Sequence, residues 1–257
     1  MTEISVTIIS LNEADNIAAC LESVGWADEI VLVDGFSSDG TARLAEGMGA
    51  RVFLESWKGY SAQKNSAIEK AGGRWILTLD ADERVPDLLR KEIESVLKME
   101  DPCSGYFIPR RNFFCGREIR HGGWRPDHNL RLFLKSAGRF EERAVHEKVV
   151  VNGRTGYLKH PMDHYTYDSV DDYLERLKRY STLAAKELAH AGKKAGRRHL
   201  ILRPPFTFLK MYLLQLGFLD GRAGFFLAVS YAYYTFLKYV KLREPHWNGG
   251  SAGYEQD

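Results

Sequence analysis

The first hundred residues alternate short apolar runs with stretches of helical period. Val6 to Ser10 and Ile30 to Val33 are buried-strand runs, and Arg51 to Leu54 is a shorter third. Between the first two, Asn12 is placed to cap a segment in which Ile17, Cys20, Leu21 and Val24 recur at helical spacing. Leu44 and Met48 mark a second helix, and Ser61 is placed to cap a third that carries Gln63, Lys64, Asn65 and Ile68. A fourth strand, Trp75-Ile76-Leu77-Thr78-Leu79, runs into Asp80-Ala81-Asp82. Beyond Pro86, a first-turn proline, Leu89, Ile93, Val96 and Leu97 predict one more helix. This alternation predicts right-handed βαβ units and a mostly parallel sheet flanked by helices, the α/β class.

The period then changes. Gly105 to Pro109, Leu130 to Leu134, Val149 to Val151 and Gly156 to Lys159 predict strands added to the sheet, with a basic loop from Phe113 to His128. Ser169-x-x-Asp172 opens an amphipathic helix whose stripe is Tyr173, Leu177, Tyr180, Ala184 and Leu188. Phe206 to Leu216 is apolar except for Lys210, Gly217 to Gly221 interrupts the run, and Ala223 to Leu237 carries no charge. Neither run reaches the roughly twenty residues of a spanning helix. An interfacial helical hairpin is expected, with a soluble cap or an oligomer contact as the alternatives. The expected division is a first domain over 1–165, a helical region over 166–247 and a polar tail over 248–257.

Charge sharpens that picture. The net charge is only +2, yet Lys186 to Arg243 holds eleven Lys or Arg against Glu187 and Asp220. The basic residues flank the apolar runs on both sides, which favours an anionic, cytoplasmic membrane face as partner. Nucleic acid is disfavoured because these charges are interleaved with long apolar runs. Cys20, Cys103 and Cys115 have neither disulfide-framework nor zinc spacing, which fits a reducing compartment. Met1-Thr2-Glu3 lacks a basic n-region, so no signal peptide is expected.

Candidate chemistry gathers at strand ends, where open α/β sheets bind ligands. Ser10-Leu11-Asn12-Glu13 follows the first strand, and Asp34 with its Gly/Ser loop, including Ser37, follows the second. Lys64 stands on the third crossover, and Asp80-Ala81-Asp82 ends the fourth strand. Carboxylates can accept hydrogen bonds from a base and ribose, and a lysine can pair with a phosphate. Paired carboxylates suit Mg²⁺ or Mn²⁺ beside a diphosphate. A nucleoside diphosphate fits the set.

These motifs, read together over roughly residues 4–165, resemble the family 2 glycosyltransferases of GT-A fold. Gly35 stands where that family commonly has a second acidic residue. His121-Gly122-Gly123-Trp124-Arg125-Pro126-Asp127, Gly138-Arg139-Phe140-Glu141 and Val145-His146-Glu147 are similar to the branch related to lipopolysaccharide core glucosyltransferases. The resemblance implies a metal-dependent inverting transfer of a hexose from a UDP-sugar, glucose being the expected sugar, to a lipid-linked core saccharide. The place implied is the cytoplasmic face of a bacterial inner membrane, with peripheral or monotopic attachment. It implies Glu147 as general base with Asp127 in reserve, Asp82 as direct metal ligand, Asp80 on the ribose or metal, and His164 as a metal or diphosphate contact. Arg131 is a candidate phosphate partner. The alternatives are a non-catalytic, membrane-docked sugar-nucleotide binder and a haloacid-dehalogenase-type phosphatase; the latter is disfavoured because its Asp-x-Asp follows a first strand.

Overall fold

The computed structural model describes residues 2–141 and 148–247. Its first strand, β1 (Ile4–Ser10), is buried along its whole length, as a strand covered on both faces by helices must be. The chain continues through α1 (Ala14–Val24), β2 (Glu29–Asp34), α2 (Thr41–Gly47), β3 (Arg51–Leu54), α3 (Tyr60–Lys70), β4 (Trp75–Asp80), β5 (Glu83–Arg84) and α4 (Asp87–Leu97). Strands β3, β2, β1 and β4 lie side by side in that order, all parallel. Their register aligns Ser10 with Asp34 and Ile9 with Asp80, so three neighbouring strands deliver their C-terminal residues to one edge.

The strands that follow are β6 (Gly105–Phe114), β7 (Arg117–Glu118), β8 (His128–Leu134), β9 (Gly138–Phe140), β10 (Val149–Val151), β11 (Thr155–Tyr157) and β12 (Met162–Tyr167). Here β8 joins β4 antiparallel and β6 joins β8 antiparallel, so the sheet is mixed. Val149 to Val151 is a correction to the sequence reading: β10 pairs with β9 in a separate two-stranded sheet. The expected loop from Phe113 is also shorter than predicted, because β6 runs to Phe114 and turns back through β7. Cys115 and Gly116 make that turn at φ 48° and 72°.

Two expected helix caps are absent for identifiable reasons. Asn12 sits at φ 57° and accepts the Ser38 N–H at 2.9 Å, tying two loops together, and α1 starts after Glu13. Ser61 lies inside α3, which starts after Gly59 at φ 92°, a conformation open to glycine at little steric cost. Ser169 does cap the helix α5 (Val170–His190), accepting the Asp172 N–H at 3.0 Å.

Two compact units emerge. The first joins the described residues up to Arg111 with Pro126–His164. Its core packs Ile8, Ile17, Leu21, Trp75, Leu79 and Ile93 between sheet and helices. Burying each such side chain contributes about 1.5–3 kcal/mol. The second unit joins Asn112–Arg125 with the described residues from Tyr165 onward, so residues 112–125 fall outside the first domain to which the sequence division assigned them.

In the second unit α5 is followed by α6 (Arg197–Ile201), α7 (Arg203–Leu209), a wide turn at Lys210–Leu214, a tight turn at Gly217–Asp220 and α8 (Gly221–Trp247). The buried stripe of α5 is Tyr173, Leu177, Ser181 and Ala185, rotated from the predicted one, which leaves Tyr180 exposed. Helix α8 packs against both α5 and α7. Its start needs glycine: a Cβ on Gly224 would lie 1.9 Å from the Gly217 carbonyl oxygen. Among the described residues no single helix is long and apolar enough to cross a membrane; the pair Arg197–Leu214 and Gly217–Glu244 meets that test only jointly, bent by 72°.

Candidate active site

The first unit carries the site at the C-terminal edge of its parallel strands. Asp34, at the end of β2, is wholly buried. Its Oδ2 accepts the Ser10 hydroxyl at 2.7 Å and the Ser37 hydroxyl at 2.5 Å, while Oδ1 accepts the Ser37 N–H at 2.7 Å. The Ser37 oxygen in turn accepts the Asn12 N–H at 2.8 Å. Glu13 donates its N–H to Thr41 Oγ1 at 2.9 Å, and its carboxylate accepts from the Asn16 amide. Ser10, Asn12, Asp34 and Ser37 therefore form one hydrogen-bonded scaffold, and Glu13 is tied beside it through Thr41. With three donors on a buried carboxylate, Asp34 braces the loop that follows β2. Leu11 and Phe36, the apolar neighbours of that scaffold, are exposed, Phe36 at φ 63°. Gly35 fits tightly, because a Cβ there would stand 3.3 Å from the Leu11 side chain.

The second cluster is ionic. Asp80 Oδ1 meets Lys64 Nζ at 2.8 Å and Asp80 Oδ2 meets an Arg131 guanidinium nitrogen at 2.6 Å. The same Arg131 nitrogen donates to Glu83 Oε1 at 2.5 Å, and Glu83 Oε2 accepts the Asp80 N–H at 2.9 Å. Lys64, Glu83 and Arg131 are all buried. Burial alone would raise the Asp80 carboxyl, but the Arg131 and Lys64 cations outweigh it and hold Asp80 well below the usual carboxylate range. Burial works against the Arg131 charge too, and Asp80 with Glu83 reverses that and raises its pKa. Arg110 extends the network, reaching Glu83 at 3.3 Å and Asp127 at 2.8 Å.

Asp82 stands apart from these pairings. It lies 3.4 Å from His164 Nε2, and its Oδ1 is buried without a hydrogen-bond partner. A buried carboxylate oxygen left without a donor is costly, so Asp82 with His164 fits a divalent cation whose other ligands come from a diphosphate and water. Both Asp80 oxygens already hold cations, which suits the ribose contact or a water-mediated metal contact expected of it better than direct ligation. Among the described residues no group of three or more His, Cys, Asp or Glu side chains converges as a metal site.

Ala81 is buried between the two aspartates. Asp127 accepts from Arg110 and from the Asn129 amide at 2.8 Å, so as a reserve base it is heavily engaged. Glu147, the expected base, and His146 lie outside the described residues. Sequence reasoning gave no role to Glu83 or Arg110. Glu83 closes the run Asp80-Ala81-Asp82-Glu83, and a third acid so close to the pair was the available signal. Arg110 carried none, since only the β6–β8 pairing brings it to Asp127.

Against this geometry the model of Glycosyl transferase family 2 matches residues 5–165, more than half the chain. The chain belongs to this family and is a glycosyltransferase. Over 95% of its length it is 33% identical to a lipopolysaccharide core biosynthesis glycosyltransferase, LpsC, of Rhizobium meliloti, covering 93% of that protein. An uncharacterized glycosyltransferase of Rickettsia typhi is 30% identical over 95% of this chain and 88% of its own. Among solved structures, S. aureus TarS in complex with UDP-GlcNAc is 15% identical, covers 98% of this chain and 94% of its own, and superposes with a TM-score of 0.49.

Proposed function

We propose that this chain transfers a hexose from a UDP-hexose, with UDP-glucose as the expected donor, to a lipopolysaccharide-core or other lipid-linked saccharide at a membrane surface. The observation that carries this reading is the strand-edge arrangement of a family 2 glycosyltransferase: the Asp34 scaffold, the Lys64–Asp80–Arg131 cluster and the unpartnered Asp82 oxygen. The likeness to LpsC along nearly the whole chain supports the acceptor class.

The reaction is a single displacement. An acceptor hydroxyl oxygen bonds to the anomeric carbon, the carbon–oxygen bond to UDP breaks, and the hydroxyl proton passes to a carboxylate, for which Glu147 is our choice. The Asp34 scaffold fixes the loop on which nucleotide and ribose rest. Asp80, held ionised by its two cations, accepts from ribose hydroxyls, and Lys64 offers its charge to the diphosphate. Asp82 and His164 would hold Mg²⁺ or Mn²⁺, which when bound neutralises charge on the leaving diphosphate.

Membrane-surface placement, at the cytoplasmic face of a bacterial inner membrane, is supported by the basic flanks and the exposed Phe206, Leu214, Leu219 and Phe225 of the second unit. A panel of UDP-sugars tested for thermal stabilisation, with and without Mn²⁺, checks the donor. UDP-glucose should raise the Tm most, and only with metal. No shift with any UDP-sugar would reject the reading.

A further inference from the structure

The second unit contains a cavity of about 580 Å³, none of whose lining residues belongs to the site described above. Arg203, Lys210 and Lys238 line it, and no Asp or Glu does. None of these three cations has a carboxylate partner among the described residues. Arg203 donates instead to the Tyr239 hydroxyl, and the Lys238 ammonium lies 5.4 Å and 5.2 Å from the ring centres of Tyr234 and Tyr239. Both the Arg203 and Lys238 charges stand over the Tyr239 ring, itself buried.

Like charges gathered beside buried rings are unfavourable when nothing neutralises them. Lys238 shows the cost: burial, with the Arg203 charge beside it, lowers the pKa of its ammonium. Of the two acids between Lys186 and Arg243, Asp220 is turned to the Arg120 and His121 N–H groups and the His121 ring, and the charge of Glu187 acts on Tyr234. The wall also offers neutral polar groups, Thr207, Thr235 and Gln215. The two threonine hydroxyl oxygens stand 3.4 Å apart. Gly123 brings backbone to the same wall at φ 85°, where a Cβ would strike the Gln215 amide at 2.7 Å.

The Thr207 hydroxyl donates to the Arg203 carbonyl oxygen, which leaves three cations, the Thr235 hydroxyl and an amide for a phosphate, with its three or more acceptor oxygens. The rim adds a second requirement. Phe206 lines the cavity yet is 61% exposed, and Leu209, Leu213 and Leu214 are also exposed on the following turns. An anion alone would leave that apolar surface in water, whereas a phosphate carrying acyl or prenyl chains would cover it.

We propose that this cavity binds the phosphate head group of a lipid amphiphile, with the lipid's chains lying along the exposed apolar face of α7 and the turn after it. The inference rests on the membrane-surface reading above and gives it a specific site in place of general attraction between charges. A lipid head group and a free phosphate share the same anchoring chemistry, so the test must separate them.

Titrate the full chain with dihexanoyl phosphatidic acid, which is soluble below its micelle concentration, with dihexanoyl phosphatidylcholine and with inorganic phosphate. Repeat with Lys238→Gln and Lys210→Gln, and with Lys193→Gln as a basic control outside the cavity. Phosphatidic acid should bind saturably and at least tenfold more tightly than inorganic phosphate. Each cavity variant should weaken it roughly fivefold, the scale of about 1 kcal/mol for one basic residue at an anionic lipid surface. Lys193→Gln should leave it unchanged. Equal affinity for inorganic phosphate would overturn the lipid assignment, and equal losses in all three variants would overturn the cavity.

Flotation of the full chain with phosphatidylglycerol vesicles separates the two readings. Flotation of the wild type with no cavity dependence in the titration defeats the site and leaves the membrane placement standing. Saturable, cavity-dependent binding of dihexanoyl phosphatidic acid without flotation upholds the site and defeats membrane placement.

Discussion

Arg131 and Lys238 are both cations removed in large part from water, and they are treated in opposite ways. Arg131 lies between two carboxylates, and its charge is favoured by them. Lys238 lies between tyrosine rings and another cation, and its charge is disfavoured. A paired ionic cluster holds a shape without help. An unpaired cluster instead raises the affinity for an anion that arrives from outside, because that anion relieves the repulsion. In the first unit, electrostatics has been used to fix geometry at the end of β4; in the second, the charge is left available.

Substitution should break this contrast cleanly. Arg131→Met removes the partner of two carboxylates, one of them fully buried, and should cost about 3–5 kcal/mol of stability in urea unfolding. Lys238→Met keeps the apolar stem and removes the repulsion, and its unfolding midpoint should stay level or rise. Similar losses in both variants would show that the distinction has no energetic content.

Asp82→Asn separates chemistry from structure within the first unit. Its Oδ1 makes no hydrogen bond, so the Tm should move by less than about 2 °C, on a scale where 1 kcal/mol shifts a domain of this size by about 2–4 °C. Turnover of UDP-sugar should fall by about two to three orders of magnitude, as expected for loss of a group aimed at developing charge. A large Tm loss with preserved turnover would assign Asp82 a structural role.

Ser37→Ala tests the Asp34 scaffold. It removes a donor to a buried carboxylate and an acceptor for Asn12, and should cost about 1–3 kcal/mol. UDP affinity should weaken in parallel, measured by calorimetry, because the loop that carries it loosens. Unchanged UDP affinity would separate the scaffold from nucleotide binding.

The smallest effect is in pH. Asp80 has its folded pKa lowered, so its contribution is complete above the unfolded value of about 3.9 and is lost as pH falls through the folded value. The stability gap between wild type and Asp80→Asn should therefore be flat from pH 8 down to about 4 and close only below that. A gap already closing near pH 6 would contradict the pairing with Lys64 and Arg131.

The parallel half of the fold was legible because buried strands and amphipathic crossovers leave strong periodic marks, as in Val6 to Ser10 and Ile17 to Val24. The strand-end residues followed from topology alone: once β1, β2 and β4 are parallel neighbours, Ser10, Asp34 and Asp80 must share an edge. What sequence could not show was pairing between distant side chains. Arg110 with Asp127, Arg131 with Glu83, and the burial of Asp34 all depend on antiparallel registers and loop conformations that leave no local period. The caps failed similarly, since Asn12 and Ser61 have the right chemistry and a backbone that uses it elsewhere. The cavity of the second unit was visible only as a charge imbalance until α7 and α8 packed side by side and placed Arg203 near Lys238.

The most direct measurement is transfer itself. Incubate the full chain and Asp82→Asn with UDP-[¹³C]glucose, Mn²⁺ and a truncated lipopolysaccharide core acceptor, and read the anomeric carbon by NMR. Release of UDP with formation of a β-linked glucoside by the wild type, and its near absence in the variant, is the predicted result. An α-linked product, or equal transfer by both proteins, would contradict the inverting, Asp82-dependent transfer proposed above.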